Sequence, residues 1–421
     1  MKKFRVLTTA LAAAAFLAGC GGSNSGDQSP NVAFTRMVNF GDSLSDVGTY
    51  KTNIVGANGG GHYSINGNFT SAGLPYTNWT EYLAATLQLS QPCAVEVGLN
   101  SVADLSFLAQ AATRNDACFS YAQGGARVTD PMGPGNNALY TNFGATSGEL
   151  GQLTVPVATQ VDNFLHLDQR TFSATDLVTV LAGGNDLFIQ RGVFVDGTVQ
   201  QVIAAEQAQQ ITVDQGNAMI VAQVNASIQA MSDAGTQLAA LIKTSIEGGG
   251  ATHIVVVNLP DVSKTPDNHE WVTAGAGQVV EQLHPNLTLD MTNAFNAALQ
   301  TGLFGTSATD SDSSILWVDA FTQNDQQFVQ PATYGLTNMD TPACDLTKTG
   351  VTVPGIGLVP LASSLFCTKN SLIAPPADTV TADDPTGVMH YLYADTVHPT
   401  PFGYRLLAEY VGLQMSIKGW L

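Results

Sequence analysis

Apolar residues along the chain follow two alternating patterns. Short continuous runs are typical of strands buried on both faces, whereas apolar residues that recur every three or four positions are typical of amphipathic helices. The runs predict strands at residues 37–39, 176–181, 253–260 and 314–321. The helical period predicts helices at residues 79–87, 153–167, 200–244 (one helix, or two joined near 214–216), 287–303 and 401–417. This alternation predicts an α/β fold with a mostly parallel central sheet.

Polar residues suited to catalysis follow two of these strands. Ser43 comes directly after the first strand, and we expect a helix to begin there, so that its hydroxyl stands clear of the sheet near the helix N–H groups. Alternatively, Asp42 and Ser43 only cap that helix. Asn185 follows the strand at 176–181 and is a neutral donor suited to an oxyanion. Its alternative role is that of a turn residue beside two glycines.

A carboxylate and a histidine lie close together near the end of the chain. Asp395 precedes His398 by three residues, and the prolines that follow disfavour a helix through them, which predicts a rigid turn. At this spacing Asp395 can accept the Nδ1 proton of His398 and leave Nε2 to act as a base toward a serine. Asp319, in the strand predicted at 314–321, is a second candidate for the acid.

Four motif blocks, in this order along the chain, resemble those of the GDSL, or SGNH, serine hydrolases. The blocks are Phe40-Gly41-Asp42-Ser43-Leu44-Ser45, Ser120-Tyr121-Ala122-Gln123-Gly124-Gly125-Ala126, Gly183-Gly184-Asn185-Asp186 and Asp395-Thr396-Val397-His398-Pro399-Thr400. The resemblance spans residues 35–415. It implies the three-layer α/β sandwich of that family, with helices on both faces of the sheet, and an esterase or lipase activity.

The resemblance assigns a role to five positions of this sequence. Ser43 would be the nucleophile, His398 its base and Asp395 the partner that orients the histidine. The oxyanion would be bound by the N–H groups of Ser43 and Gly125 and by the side chain of Asn185. The resemblance implies no cofactor and no metal.

Residues around these blocks leave alternatives open. Gly124 could supply the second N–H instead of its neighbour, and Ser120 stands where many family members have asparagine. Asp186 is interpreted as a structural carboxylate, since the triad needs no second acid. Arg127 could contact substrate, although a surface ion pair is the preferred interpretation. The Gly- and Asn-rich loop at residues 59–75 could form a wall of the binding site or an ordinary surface loop.

Composition restricts the class of protein. The chain has 421 residues, of which 44% are hydrophobic, and this allows one enlarged domain or two. The net charge of −19 argues against nucleic-acid binding and provides no attraction to anionic lipid headgroups.

Residues 1–20 are interpreted as a lipoprotein signal peptide. A positive start with Lys2, Lys3 and Arg5 precedes a short apolar run, and the sequence Leu-Ala-Gly-Cys that ends at Cys20 resembles the bacterial lipobox. We therefore expect lipid on Cys20, a flexible tether at 21–34 and a hydrolase domain at 35–421. The expected location is the bacterial cell envelope, with an outer-membrane address favoured by Gly21. An ordinary secretory signal is the alternative.

The remaining four cysteines permit two disulfides in three pairings. Cys93–Cys118 and Cys344–Cys367 are preferred, because each pair closes a local loop, and free buried cysteines are the alternative. No Cys-x-x-Cys or His-rich spacing indicates a metal site.

The sequence thus predicts a lipid-anchored serine hydrolase that cleaves carboxylic esters through an acyl-enzyme. Its substrates would be lipid or phospholipid acyl esters or short-chain esters, and its membrane contact would be the N-terminal anchor. The alternatives are a carbohydrate acetyl esterase or an acyltransferase of the same fold, or a surface binding protein without catalysis. The oligomeric state stays open.

Overall fold

The computed structural model describes residues 31–144, 146–375, 380–381 and 384–421. The signal peptide, Cys20 and most of the tether predicted above lie outside these ranges. The strands of the described residues are β1 (Arg36–Gly41), β2 (Glu96–Leu99), β3 (Gln110–Arg114), β4 (Asp176–Leu181), β5 (Ile254–Val257), β6 (Ile315–Val318), β7 (Gly350–Val353) and β8 (Gly357–Pro360).

The central sheet is parallel and has the strand order β1-β4-β5-β6. Its four strands are those that the apolar runs predict, which confirms the α/β fold class. Every residue of β4 and β5 is buried, as expected for strands covered on both faces. Two antiparallel pairs, β2-β3 and β7-β8, lie outside this sheet.

Helices connect the strands and cover the sheet. They are α1 (Asn53–Ala57), α2 (Trp79–Thr86), α3 (Asn137–Phe143), α4 (Val157–Asp162), α5 (Gly184–Ile189), α6 (Asp196–Gln207), α7 (Val213–Leu241), α8 (Pro266–Thr273), α9 (Gly275–Leu283), α10 (Leu287–Phe304), α11 (Ala320–Val329) and α12 (Pro401–Lys418). Within the described ranges, none of these helices has the length and apolarity that crossing a membrane requires.

Two apolar layers separate the sheet from its helices. Successive strand residues point to opposite faces, so Val178 and Val180 pack with α7 and α10 on one face, while Leu177 and Leu181 pack with α2 and α12 on the other. A sheet between two helical layers is the three-layer sandwich that the resemblance implies. Because all four strands run the same way, their carboxyl ends meet at one edge.

Several boundaries differ from the sequence prediction. Residues 200–244 form two helices that part at 208–212, because Thr212 caps α7 with its own side chain and Gln215 completes the capping box. The helix predicted from 153 begins at Val157, directly after Pro156. The β7-β8 hairpin lies between α11 and α12, where the apolar pattern predicts no strand.

Both preferred cysteine pairs are disulfide-bonded, Cys93 to Cys118 and Cys344 to Cys367. The second bond joins a loop beside the Asp395 segment to a short 3₁₀ helix, Ser364–Phe366. The Cys344 N–H also donates to the Ala394 carbonyl. The disulfide therefore links two segments that border the Asp395–His398 turn.

Candidate active site

The four motif blocks meet at the carboxyl edge of the sheet. Ser43 follows β1, Asn185 lies in the first turn of α5 after β4, and the segment with Asp395 and His398 leads into α12. His398 Nε2 lies 2.8 Å from Ser43 Oγ, and its Nδ1 lies 2.8 Å from Asp395 Oδ2. The first of these hydrogen bonds connects residues 355 positions apart in the sequence.

The helix expected at Ser43 is absent from the structure, and the sequence prediction is wrong at this point. Residues 42–46 form a turn, and the next helix, α1, begins at Asn53. The Asp42 side chain accepts the Leu44 N–H, and the Asp42 carbonyl accepts the Ser45 N–H, so local bonds favour a turn. Ser43 itself is only 9% exposed, and its N–H has no hydrogen-bond partner among the described residues.

Asp395 is fixed by hydrogen bonds from three backbone N–H groups. Its carboxylate accepts those of Val397, His398 and Ser364, in addition to the His398 imidazole. Burial raises the pKa of Asp395, but the charge of His398 and these hydrogen bonds outweigh burial and hold the pKa well below its usual range. Asp395 is therefore a carboxylate at neutral pH, which fixes His398 with its Nε2 toward Ser43.

The loop at residues 59–75 supports the histidine from the side. The Tyr63 ring lies against His398, with centroids 4.8 Å apart, and Ser64 Oγ donates to the Pro399 carbonyl. None of its residues lines the two cavities beside Ser43 that are described below. The loop therefore forms no wall of these two cavities, and its contacts with His398 and Pro399 support the Asp395–His398 turn.

The two neighbouring glycines of the second block differ in what their N–H groups contact. Gly124 donates to the buried Asp46 carboxylate at 2.9 Å. The Gly125 N–H has no partner among the described residues, and Gly125 lines the same cavity as Ser43 and His398. Gly125 has φ of +78°, and a Cβ there would lie 2.2 Å from the Pro134 carbonyl oxygen. Only glycine fits this position.

Asn185 is held by one of its two amide hydrogens. Its Nδ2 donates to the Ala126 carbonyl at 2.9 Å, which leaves the other hydrogen free for a ligand. The neighbouring Asp186 accepts hydrogen bonds from Arg127 Nε and the Val128 N–H. Arg127 is buried rather than exposed, so the preferred interpretation as a surface ion pair is wrong about its location.

Asp319 does not reach the histidine. It caps α11 by accepting the Thr322 N–H, and it also accepts from Asn258. Within the described ranges, no group of three or more acidic, histidine or cysteine residues is placed to hold a metal ion.

Two cavities meet at Ser43 and Asn185. The first, of about 110 Å³, is mostly apolar and lies under α12, where Leu181, Leu259 and Leu407 contribute to its walls. The second, of about 600 Å³, is open and contains His398 and Gly125. A bound molecule can therefore place its two halves on opposite sides of the Ser43 hydroxyl.

Asp42 is a buried carboxyl in the lining of the first cavity, next to Ser43. Burial raises its pKa to about 7, although the Leu44 N–H and the charge of His398 act in the opposite direction. No sequence pattern indicates this shift of the pKa, because it depends on the packing around the turn.

The raised pKa of Asp42 predicts a pH-dependent stability. Between its ordinary pKa of 3.8 and about 7, the folded state retains a proton that the unfolded chain has released. The free energy of unfolding therefore falls as the pH rises through this window. Asp42→Asn cannot ionise, so its stability relative to wild type should increase from pH 4 to pH 7 and then level off. Urea unfolding across this range measures the difference.

The exposed Asp233→Asn variant is the control for the loss of one negative charge. A stability difference for Asp42→Asn that stays constant across the window would contradict a buried, protonated Asp42.

A family model described as GDSL-like Lipase/Acylhydrolase matches residues 37–411. A search of curated proteins found no match. The matched range contains Ser43, Gly125, Asn185, Asp395 and His398, whose side chains or N–H groups meet at one edge of the sheet. The chain therefore belongs to the GDSL-like lipase/acylhydrolase family.

Proposed function

We propose that this protein hydrolyses carboxylic esters through an acyl-enzyme on Ser43. The observation that carries the proposal is the continuous contact from Ser43 Oγ through His398 to Asp395, with both bonds at 2.8 Å. Serine is a weak nucleophile until a neighbouring base takes its proton. Here a base lies within hydrogen-bond distance of the serine, and its other nitrogen is held by a buried carboxylate.

In the first step, Ser43 Oγ attacks the ester carbonyl carbon while its proton moves to His398 Nε2. The negative charge that forms on the carbonyl oxygen is stabilised by the unpartnered N–H groups of Ser43 and Gly125 and by the free amide hydrogen of Asn185. Asp395 stabilises the imidazolium without taking its proton. The tetrahedral intermediate then collapses, the C–O bond to the alcohol breaks, and His398 gives its proton to the departing oxygen.

In the second step, water attacks the acyl-enzyme by the same route. His398 takes a proton from the water, the oxyanion forms again, and the acid leaves as the proton returns to Ser43 Oγ. Because His398 must reach the leaving alcohol, the alcohol half lies in the open cavity that contains His398. The acyl half then enters the apolar cavity, whose walls do not include His398.

The apolar walls of the acyl cavity favour esters of longer acyl chains over acetate. Burying each methylene of a chain gains roughly 0.8 kcal/mol. A substrate with an apolar acyl chain therefore gains binding energy that an acetylated sugar cannot. This supports lipid or related acyl esters as substrates.

Substitution of the triad tests the proposed chemistry. Ser43→Ala and His398→Ala should each lower kcat for p-nitrophenyl esters by at least roughly a thousandfold, because the nucleophile or its base is lost. An ester series from acetate to palmitate measures both this loss and the chain preference. Thr322→Ala, an exposed change on α11, serves as the control. Activity that survives both triad substitutions would refute the assigned site.

The two disulfides provide a matched test of how Asp395 is supported. The cysteines of the two pairs lie 25 and 23 residues apart, so replacing either pair with serine should lower the free energy of unfolding by a similar amount, about 3.5 kcal/mol in the chain-entropy model. Only Cys344–Cys367 borders the Ser364 N–H that binds Asp395. At a temperature where both variants stay folded, Cys344→Ser/Cys367→Ser should therefore lose more kcat than Cys93→Ser/Cys118→Ser.

Thermal unfolding and p-nitrophenyl ester kinetics on both variants measure these effects. An equal loss of kcat in the two variants would argue against a role of this disulfide in holding Asp395.

The proposal also includes export and lipidation at Cys20. The positive start, the short apolar run and the cysteine at its end support it. Val32 donates to the Trp420 carbonyl, and β1 then runs toward Ser43. A tether before Val32 would thus join the domain at the edge of the sheet opposite the site, which leaves the site free to face away from the anchoring membrane.

Expression of the full chain in a Gram-negative bacterium with radioactive palmitate tests the anchor. The wild-type protein should carry label and sediment with membranes, whereas Cys20→Ser should lose both properties because no thiol is available for the lipid. A wild-type protein that is exported but carries no label would favour the ordinary secretory signal.

A further inference from the structure

The buried face of α11 is polar where a helix packed against a domain interior is normally apolar. Four residues of α11 have the spacing that places them on one face of the helix. All four line the acyl cavity: Ala320, Gln323, Asn324 and Gln327. We call Gln323, Asn324 and Gln327 the amide stripe. Asn324 is 8% exposed and Gln327 is 6% exposed. Two of the three side chains are therefore largely buried.

The amide stripe has few hydrogen-bond partners within the protein. Asn324 interacts with the Tyr393 hydroxyl, but its Oδ1 is buried without a partner. The side chains of Gln327 and Gln323 make no hydrogen bond among the described residues. A buried amide oxygen without a partner costs free energy, as at Asn324, and the two glutamine amides are free to bind an occupant of the cavity.

The stripe lies at the end of the cavity remote from Ser43. The lining passes from Ser43 after β1 to Leu181 in β4, Leu259 after β5 and Ala320 after β6. Neighbouring strands are spaced about 4.8 Å apart, so three steps along the edge of the sheet span roughly 14 Å. Between the two ends the walls are formed largely by apolar side chains. The cavity therefore offers an apolar path that ends at polar groups.

We propose that the acyl cavity receives a chain that carries a hydroxyl group remote from the ester, and that the amide stripe binds this hydroxyl. This inference rests on the proposed ester hydrolysis and specifies its acyl substrate. A carboxamide has both a donor and an acceptor, and a hydroxyl group can satisfy both. An unsubstituted alkyl chain that reaches α11 would displace water from the amides without replacing the hydrogen bonds that the water made. This loss discriminates strongly against the plain chain and in favour of the hydroxylated one.

Paired substrates test the inference directly. The p-nitrophenyl esters of octanoic, decanoic and dodecanoic acid are compared with their terminally hydroxylated analogues on the wild-type protein. At the length that reaches α11, kcat/KM for the hydroxylated ester should exceed that for the plain ester by roughly tenfold, the gain expected from one to two hydrogen bonds. Shorter esters should show a smaller ratio, because their hydroxyl groups do not reach the stripe.

Substitutions in the stripe separate recognition from support of the fold. Gln327→Met keeps the side-chain length and Asn324→Leu keeps the approximate volume, and each should lower the ratio severalfold or reverse it in favour of the plain ester. Gln326→Leu, an exposed change on the same helix, should leave the ratio at its wild-type value. Gln327→Met removes an amide without a partner and should not lower the melting temperature. Asn324→Leu also removes the partner of the buried Tyr393 hydroxyl and should lower it. Thermal unfolding checks that each variant is still folded at the assay temperature.

The outcomes distinguish this inference from the proposed function. Hydrolysis that depends on Ser43 but shows equal kcat/KM for plain and hydroxylated esters at every length would overturn the inference and leave the esterase in place. The inference would also be overturned if Gln327→Met and Asn324→Leu were both folded and both kept the wild-type ratio. The amides would then bind only water. A wild-type protein that hydrolyses no ester would overturn the proposed function itself.

Discussion

The carboxylate of Asp395 is the group on which the arrangement of the site depends. An isolated buried carboxylate is costly, yet this one is ionised because His398 and three backbone N–H groups surround it. Two of those N–H groups come from its own turn, and the third comes from Ser364 in a separate segment. The bonds thereby fix both the histidine that faces Ser43 and the segment that the Cys344–Cys367 disulfide holds in place.

The parallel sheet explains why residues so distant in sequence can share one site. Ser43, Asn185 and the acyl cavity all lie at the carboxyl ends of strands, where loops carry ligand-binding groups in such folds. The cavity runs along this edge, and in the proposed mechanism the alcohol half of a substrate lies on the His398 side. In that mechanism the same edge positions the nucleophile, separates the two halves of the ester and provides the path toward α11.

The central strands could be predicted from sequence because their apolar runs are long and buried on both faces. The candidate roles of Ser43, Asn185, Asp395 and His398 could be predicted without any tertiary contact. They were predicted from their positions after strands, from the spacing of the acid and the histidine, and from the motif resemblance. Local hydrogen bonds that compete with a helix were missed at residues 42–46, where the Asp42 side chain stabilises a turn instead. The break between α6 and α7 likewise lies before the join predicted near 214–216, because the capping box at Thr212 starts α7 there.

Tertiary contacts account for the remaining differences. The contact of Tyr63 with His398, the bond from Ser364 to Asp395 and the burial of Arg127 join segments that no local pattern connects. The amides of α11 were also missed, because glutamine and asparagine on a helix are usually exposed to solvent. Their position on the inner face became apparent only when α11 was placed at the edge of the sheet.

The central claim is that Ser43 is a nucleophile activated by His398. Reaction with a fluorophosphonate, followed by peptide mass spectrometry, tests it most directly, because the reagent forms a stable bond only with an activated serine. The account predicts one adduct per chain, located on the peptide that contains Ser43, and no adduct in His398→Ala. A folded protein that remains unlabelled, or an adduct on another serine, would contradict the account.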